Sequence, residues 1–473
     1  MFKIRRAALA VALCFAGVAT GSSAQSFSDA DLAVAAKLRE AGQSSNLAYE
    51  LVDSLVTEVG ARPAGSENDK KAVDWAVAKL KSLGFPVVRA EAVPLKAWRR
   101  GEAHAHITAP FAQPLVMTAL GGSVAAPKEG INAEVAYYPD FASLKADTSD
   151  KARGRIVFVD QKTERFKDGR GYGPSSTART QGPAEAGKRG ALAFAIRSVG
   201  TDHDRLAHTG ATRYAEGVPA IPAFAVSVPD ADTIARLQRY GKPVKMHLAM
   251  QNELGIDAVS HNVIAEIPGT DLADEIITIG GHLDSWDLGQ GAIDDGAGVA
   301  ITAAAAKLIL DTGVKPRRTI RVVMFANEEN GLDGGRAYSE TYKHQKHQLV
   351  AESDFGAGNI YRFQTRVRPE ALGVAMVIAE QLKPLGVEAG NNEARTGADT
   401  GTIQRVANLP ILSFSQDGTD YFDYHHTAND TLDKIDPAKL RQNVAVWATA
   451  VWLSSQSPVA FHPLPPVEKK PAQ

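Results

Sequence analysis

From Ser260 onward the chain alternates short apolar runs with segments of helical spacing, and this alternation restricts the possible folds more than any other feature. NVIAEIPG, EIITIGGH, TIRVVMFANEEN, LVAESDFG and LPILSFSQ read as strands, and Gly298–Leu310 and Pro369–Leu382 read as helices between them. Such alternation implies an α/β architecture: a mixed, largely parallel sheet flanked by helices. Three of the runs lead into polar residues: His282 after EIITIGG, Glu328 and Glu329 after IRVVMFAN, and Asp354 after LVAES. Open α/β sheets bind ligands beyond the carboxyl ends of their strands, so the three clusters are expected at one edge.

Earlier in the chain, Asn46–Val59 and Glu67–Leu83 have helical periodicity, with GARPAGS as a loop between them and Gly84 as the stop; FPVVRAEAVPL follows as a strand. The texture then changes. Between 102 and 252 the runs are short and β-like, GRIVFVD, ALAFAIRSV and IPAFAVSVPDADTIARL among them, with glycine-rich loops between. This predicts an inserted β-rich domain over 102–252 that interrupts a main domain built from 25–101 and 253–460. Residues 461–473 are rich in proline, and Ser457–Gln473 reads as an extended or disordered appendix.

Lys3, Arg5 and Arg6 precede an apolar run from Ala7 to Val18 that ends in Gly-Ser-Ser-Ala, the pattern of a secretory signal over residues 1–24. A periplasmic or extracellular location is expected. The only cysteine, Cys14, falls inside the signal, so the processed chain has no disulfide. No apolar run reaches the roughly 20 residues of a membrane span. Loss of the signal takes the formal charge from −2 to about −5, which gives no support for a nucleic-acid partner.

The polar clusters contain the ligand types of a zinc site. Zinc binds imidazole nitrogen and carboxylate oxygen, and a pair of ions about 3.5–4 Å apart needs one carboxylate shared between them. Asp294, in GAIDDGAG, is assigned as that bridge; His282 and Asp354 complete one ion, and Glu329 and His426 the other. Glu328, next to a ligand, is the expected general base. Asp284 is placed to accept a hydrogen bond from the second ring nitrogen of His282. Singly, each pattern has a plainer explanation. A histidine near an aspartate is commonly a surface pair, Asp294 and Asp295 before Gly296 suit a helix cap, and of His425 and His426 only one is expected to be a ligand. Jointly, four coincidences, three of them at strand ends, are needed to mimic one site.

GGHLDSWDLGQGAIDDGAG, NEENGLDGG, ESDFGAG, GADTGTI and HHTANDT together resemble the co-catalytic zinc peptidases, the family of leucyl-type aminopeptidases and glutamate carboxypeptidases, most of all its plasma glutamate carboxypeptidase branch. The likeness covers essentially the whole chain after the signal. It implies an α/β catalytic domain interrupted by a protease-associated domain, two zinc ions on the ligands named above with His426 as the second histidine, and a cis peptide bond after Asp294. It also implies an exopeptidase acting on short unblocked peptides, in a family whose members often pair as homodimers. Tyr424 or His425 is a candidate donor to the oxyanion, and Arg395 a candidate carboxylate clamp. Two other classes stay open: a cyclotransferase acting on N-terminal glutamine with one zinc, and a receptor-like relative without catalysis.

Overall fold

The computed structural model of the protein describes residues 27–465. The expected export signal, with Cys14, and residues 466–473 of the tail lie outside them.

The main sheet has eight strands, in the order Val87–Arg99, Glu253–Ile267, Arg318–Phe325, Leu272–His282, Lys346–Glu352, Ile411–Gln416, Ile360–Arg366 and Glu388–Ala389. Pairing is parallel on both sides of Leu272–His282. It is antiparallel where Glu253–Ile267 meets its two neighbours and where Ile360–Arg366 meets Ile411–Gln416. The sheet is therefore mixed, with its parallel character centred on the strands that lead into the polar clusters. Opposite faces of one strand feed different cores: Ile320, Val322 and Met324 enter one, Val323 and Phe325 the other. Side chains alternate across a strand, and here both faces are covered, which is why the runs are continuously apolar. Fully burying one such side chain is worth roughly 1.5–3 kcal/mol.

Helix Ala297–Asp311 covers the larger core with Asp29–Ser44, Leu47–Glu58 and Pro437–Gln456. Small residues allow the close approach: a Cβ on Gly42 would lie 2.4 Å from the Ala445 Cα. Asp333–Tyr342 and Thr400–Ala407 cover the other face.

A second eight-stranded sheet takes all its strands from residues 103–250. It is parallel from Ile131–Tyr138 through Ile156–Val159 and Ala193–Arg197 to Ala223–Val226, and antiparallel at its flanks. The expectation of a merely β-rich segment understates its helices, Phe141–Ala146, Tyr172–Lys188 and Val228–Gln238. Tyr172–Lys188 escaped detection because its buried face is built from small residues, Ala178, Gly182 and Ala186, around Pro183. A Cβ on Gly182 would lie 2.2 Å from Phe194. The start of the proline-rich tail also departs from expectation: Phe461 is buried, its N–H donates to Gln348 Oε1 at 2.8 Å, and Arg368 holds the Pro463 carbonyl. An aromatic anchor and satisfied backbone groups fix this stretch to the body.

Candidate metal centre

His282 ends the central strand, and its ring is oriented by the chain just beyond it. Nδ1 lies 3.0 Å from the Asp284 carbonyl oxygen, leaving Nε2 to face Asp294 Oδ1 at 3.2 Å and Asp354 Oδ1 at 3.5 Å. The expected partner was the Asp284 carboxylate, which is 3.8 Å from Nδ1 and instead accepts the Glu328 N–H at 3.0 Å. The main chain of Asp284 thus sets the histidine, while its side chain ties down the strand end that carries the two glutamates.

Asp294 sits in the turn before helix Ala297–Asp311, and the Asp294–Asp295 peptide bond is cis. The helix-capping alternative belongs to Asp295 alone, whose oxygens accept the N–H groups of Gly298 and His282, each at 3.1 Å. Gly298 is required there, since a Cβ would lie 1.9 Å from the Ser353 carbonyl oxygen. Asp294 is free to face the site. Its Oδ2 is 3.2 Å from His426 Nε2, which is also 3.2 Å from Glu329 Oε2. The two oxygens of one carboxylate therefore meet two different histidines. His425 stacks on His426 with ring centroids 3.5 Å apart, and its Nε2 is 3.5 Å from Asp294 Oδ2. Among the described residues, three ligand groupings have metal-compatible spacing: His282, Asp294 and Glu329; Asp294, His425 and His426; and His282, Asp295 and Asp354.

Several residues that build the site were not singled out from the sequence. Arg62, from the GARPAGS loop, is fully buried and donates to the carbonyls of Leu283, Gln290 and Gly291, the last two at 2.8 Å. It pins the segment between His282 and Asp294. Asp430 accepts the Ile293 N–H at 2.7 Å, and burial raises its pKa to about 7. From the second sheet's unit, the Thr209 carbonyl lies 3.2 Å from His426 Nδ1 and its N–H donates to the His426 carbonyl at 3.0 Å. These bonds direct Nε2 toward the carboxylates. No local motif marks Arg62 or Thr209, whose partners are more than two hundred residues away.

Two candidates lie elsewhere. Tyr424 faces a separate cavity beside Lys434, and Tyr421, one turn earlier, lines the pocket instead. Arg395 is exposed and does not line the pocket. The half-buried Glu352 carboxylate takes up the Thr400 N–H at 2.6 Å, so the GADTG segment packs behind the site.

The electrostatics fit metal ions. Burial raises the pKa values of Glu328 and Glu329, assisted by neighbouring carboxylates. Burial works the same way on Asp294, but His425, His282 and His426 pull it well below the usual carboxylate range. His426 is lowered to about 4 by burial, which keeps it in the neutral form a ligand needs. Asp294 Oδ2 and Glu329 Oε1 are buried without a hydrogen-bond partner. Among the described residues, no lysine or arginine forms an ion pair with Asp294, Asp295, Glu328, Glu329 or Asp354. Buried carboxylates without basic partners call for a cation, and nitrogen and oxygen donors in this mixture suit zinc. The pocket above them holds about 320 Å³ and is walled by Tyr172, Arg179, Phe355 and Tyr421.

Comparison with known proteins agrees with this geometry. Residues 262–451 match the model of Peptidase family M28. The chain is 36% identical to carboxypeptidase Q of Rattus norvegicus over 414 residues, covering 87% of this chain and 86% of that one, and 35% identical to the Homo sapiens protein over the same shares. The crystal structure of a peptidase M28 precursor from Shewanella amazonensis superposes with a TM-score of 0.91 at 51% identity, covering 93% of this chain and 99% of that one. The aminopeptidase of Aneurinibacillus sp. strain AM-1 shares the fold, with a TM-score of 0.63 at 21% identity over 91% of this chain and 98% of that one. The chain belongs to Peptidase family M28 and is a hydrolase of the metallopeptidase class.

Proposed function

We propose that the chain is an exported two-zinc exopeptidase of aminopeptidase or dipeptidase type, hydrolysing short unblocked peptides. The observation that carries this reading is Asp294, whose two oxygens face His282 and His426 from the middle of a buried set of carboxylates without basic partners. His282 and Asp354 would hold one ion and Glu329 and His426 the other, with Asp294 shared. When bound there, the zinc pair supplies the Lewis acidity that polarises a carbonyl and makes water a nucleophile near neutral pH.

Glu328 lines the same pocket, and its backbone is fixed by Asp284. Its raised proton affinity suits a group that takes a proton from water and passes it to the leaving amine. His425 is the remaining candidate donor to the developing oxyanion. The unit at 102–252 is assigned as a protease-associated domain that completes the pocket, since Thr209 reaches His426 and Tyr172 and Arg179 form a wall. The signal over 1–24 supports delivery to the periplasm or beyond.

Changing Glu328 to Gln tests the reading. Hydrolysis of leucyl amides and free dipeptides should fall by about 10²- to 10⁴-fold, the usual worth of a general base, with both zinc ions retained. Full activity in that variant refutes the role. One metal per chain with cyclisation of glutaminyl peptides favours the cyclotransferase instead.

A further inference from the structure

The second sheet carries a cluster of histidines for which peptide hydrolysis has no use. His104 and His106 are two places apart on strand Ala103–Ala109, and His247 is on its neighbour Lys245–Met250. Residues two apart on a strand share a face. The register sets His106 directly opposite His247, and Asn132 of strand Ile131–Tyr138 lies opposite His247 on the other side. The alternate residues Ala105, Ile107, Met246 and Leu248 are buried in that unit's core, so the histidines are on the outer face, His104 exposed and His106 and His247 half-buried. Among the described residues, the histidines in ion pairs are His208, His282, His425 and His426; the cluster has no carboxylate of its own.

The spacing is that of imidazoles around one metal ion. Zinc–nitrogen bonds of about 2.0–2.1 Å at a tetrahedral angle put the centres of two ligating rings about 5 Å apart. Here the ring centroids of His106 and His247 are 5.0 Å apart, and those of His104 and His247 are 5.8 Å apart. His247 is already oriented: its Nδ1 donates to Asn132 Oδ1 at 3.1 Å, which leaves the lone pair on Nε2. Gly130 keeps the space beside that nitrogen free, since a Cβ there would lie 3.0 Å from Nε2. Burial, with the nearby His106 and His104, lowers the pKa of His247 and favours the neutral form that binds metal. The ring nitrogens are not gathered to one point as they are in the metal pocket, and a turn about χ2, a soft torsion in histidine, brings them round. A merely solvated face has no reason to bring together three groups that repel one another when protonated.

We infer that His104, His106 and His247 form a surface site for one divalent transition cation of the imidazole-binding kind, zinc, copper or nickel, with water completing the coordination. The site ties two strands of the inserted unit together. None of its residues lines the pocket of Asp294, so it stands or falls apart from the exopeptidase reading.

Calorimetric titration of Zn²⁺ into protein already loaded with zinc, near neutral pH, tests this. The wild type should take up one further ion per chain. The double variant H106N with H247N should lose that uptake, and H104N should weaken it. N132A should weaken it by about 10- to 100-fold, the usual worth of an outer hydrogen bond to a ligating histidine. H344N, which changes an exposed histidine elsewhere, should leave it intact. Added zinc should also raise the melting temperature of the loaded wild type and not that of the double variant, because an ion that binds the folded state stabilises it. No further ion in the wild type, equal uptake by the double variant, or loss of uptake in H344N overturns the site.

Discussion

Replacing Arg62 with Met tests how the metal centre is supported. The guanidinium is fully buried and satisfies the carbonyls of Leu283, Gln290 and Gly291, while the Arg62 N–H donates to Ser285 Oγ at 3.1 Å. Methionine keeps much of the volume and the backbone bond but orphans the Leu283 and Gln290 carbonyls and leaves that of Gly291 with the Gly296 N–H alone. Each buried acceptor left unpaired costs about 1–3 kcal/mol, and relief from burying the charge offsets part of the sum. That relief is incomplete, because Asp430, Asp284, Asp295 and Asp294 stabilise the guanidinium against the burial that lowers its pKa. A net loss of about 3–5 kcal/mol follows, the range seen when one partner of a buried charge network is removed. Chemical denaturation read by fluorescence should show a lower midpoint. Metal analysis after dialysis should show fewer than two ions per chain, since the segment between His282 and Asp294 is no longer pinned. R62K, which keeps the charge but cannot reach three carbonyls at once, should fall between. A methionine variant with the wild-type midpoint and full metal content refutes the reasoning.

Other expectations follow from the same structure. His347 is held neutral down to about pH 3 by burial and by Arg321, whereas an unfolded histidine protonates near 6.5. Between those values the unfolded chain binds more protons, so stability falls as pH falls. From pH 8 to 5 the wild type should lose about 2 kcal/mol relative to H347Q; parallel stability curves for the two proteins contradict this. G298A places a Cβ 1.9 Å from the Ser353 carbonyl oxygen and should destabilise by about 1–3 kcal/mol, with wild-type unfolding as the contrary result. Chelation should lower the melting temperature and zinc should restore it, because ions that bind only the folded state stabilise it; identical melting with and without chelator counts against a structural cation. D294N, which weakens a carboxylate shared by both ions, should reduce zinc content by more than D354N does in equilibrium dialysis, and equal effects contradict the bridging assignment.

The parts of this molecule that could be read from its sequence are those whose physics is local. EIITIGGH and IRVVMFANEE announce themselves because strands covered on both faces are apolar throughout, and the polar residues that follow them have no place in the core. His282, Glu329 and Asp354 were found that way, Asp294 came from the ligand pattern of GAIDDGAG and His426 from the family resemblance, and the five converge in the structure. Asp284 was assigned a contact with His282 that its carbonyl makes in place of its carboxylate, because adjacency in sequence does not say which oxygen is nearer. Pro437–Gln456 is buried along most of its length and so lacks an amphipathic period to read. Tyr172–Lys188 packs with glycine and alanine, which carry almost no hydrophobic signal, and so Arg179 on its buried face was passed over. Arg62 acts on main-chain carbonyls and the Thr209 carbonyl on the His426 ring, both across the fold, a relation that only three-dimensional structure reveals.

Anomalous diffraction at the zinc edge, on crystals grown with zinc, tests the central claim most directly. Two peaks should appear, one on each side of Asp294, with His282 and Asp354 around one and Glu329 and His426 around the other, about 3.5–4 Å apart as in two-metal hydrolases. A single peak, or peaks that Asp294 does not join, contradicts the account.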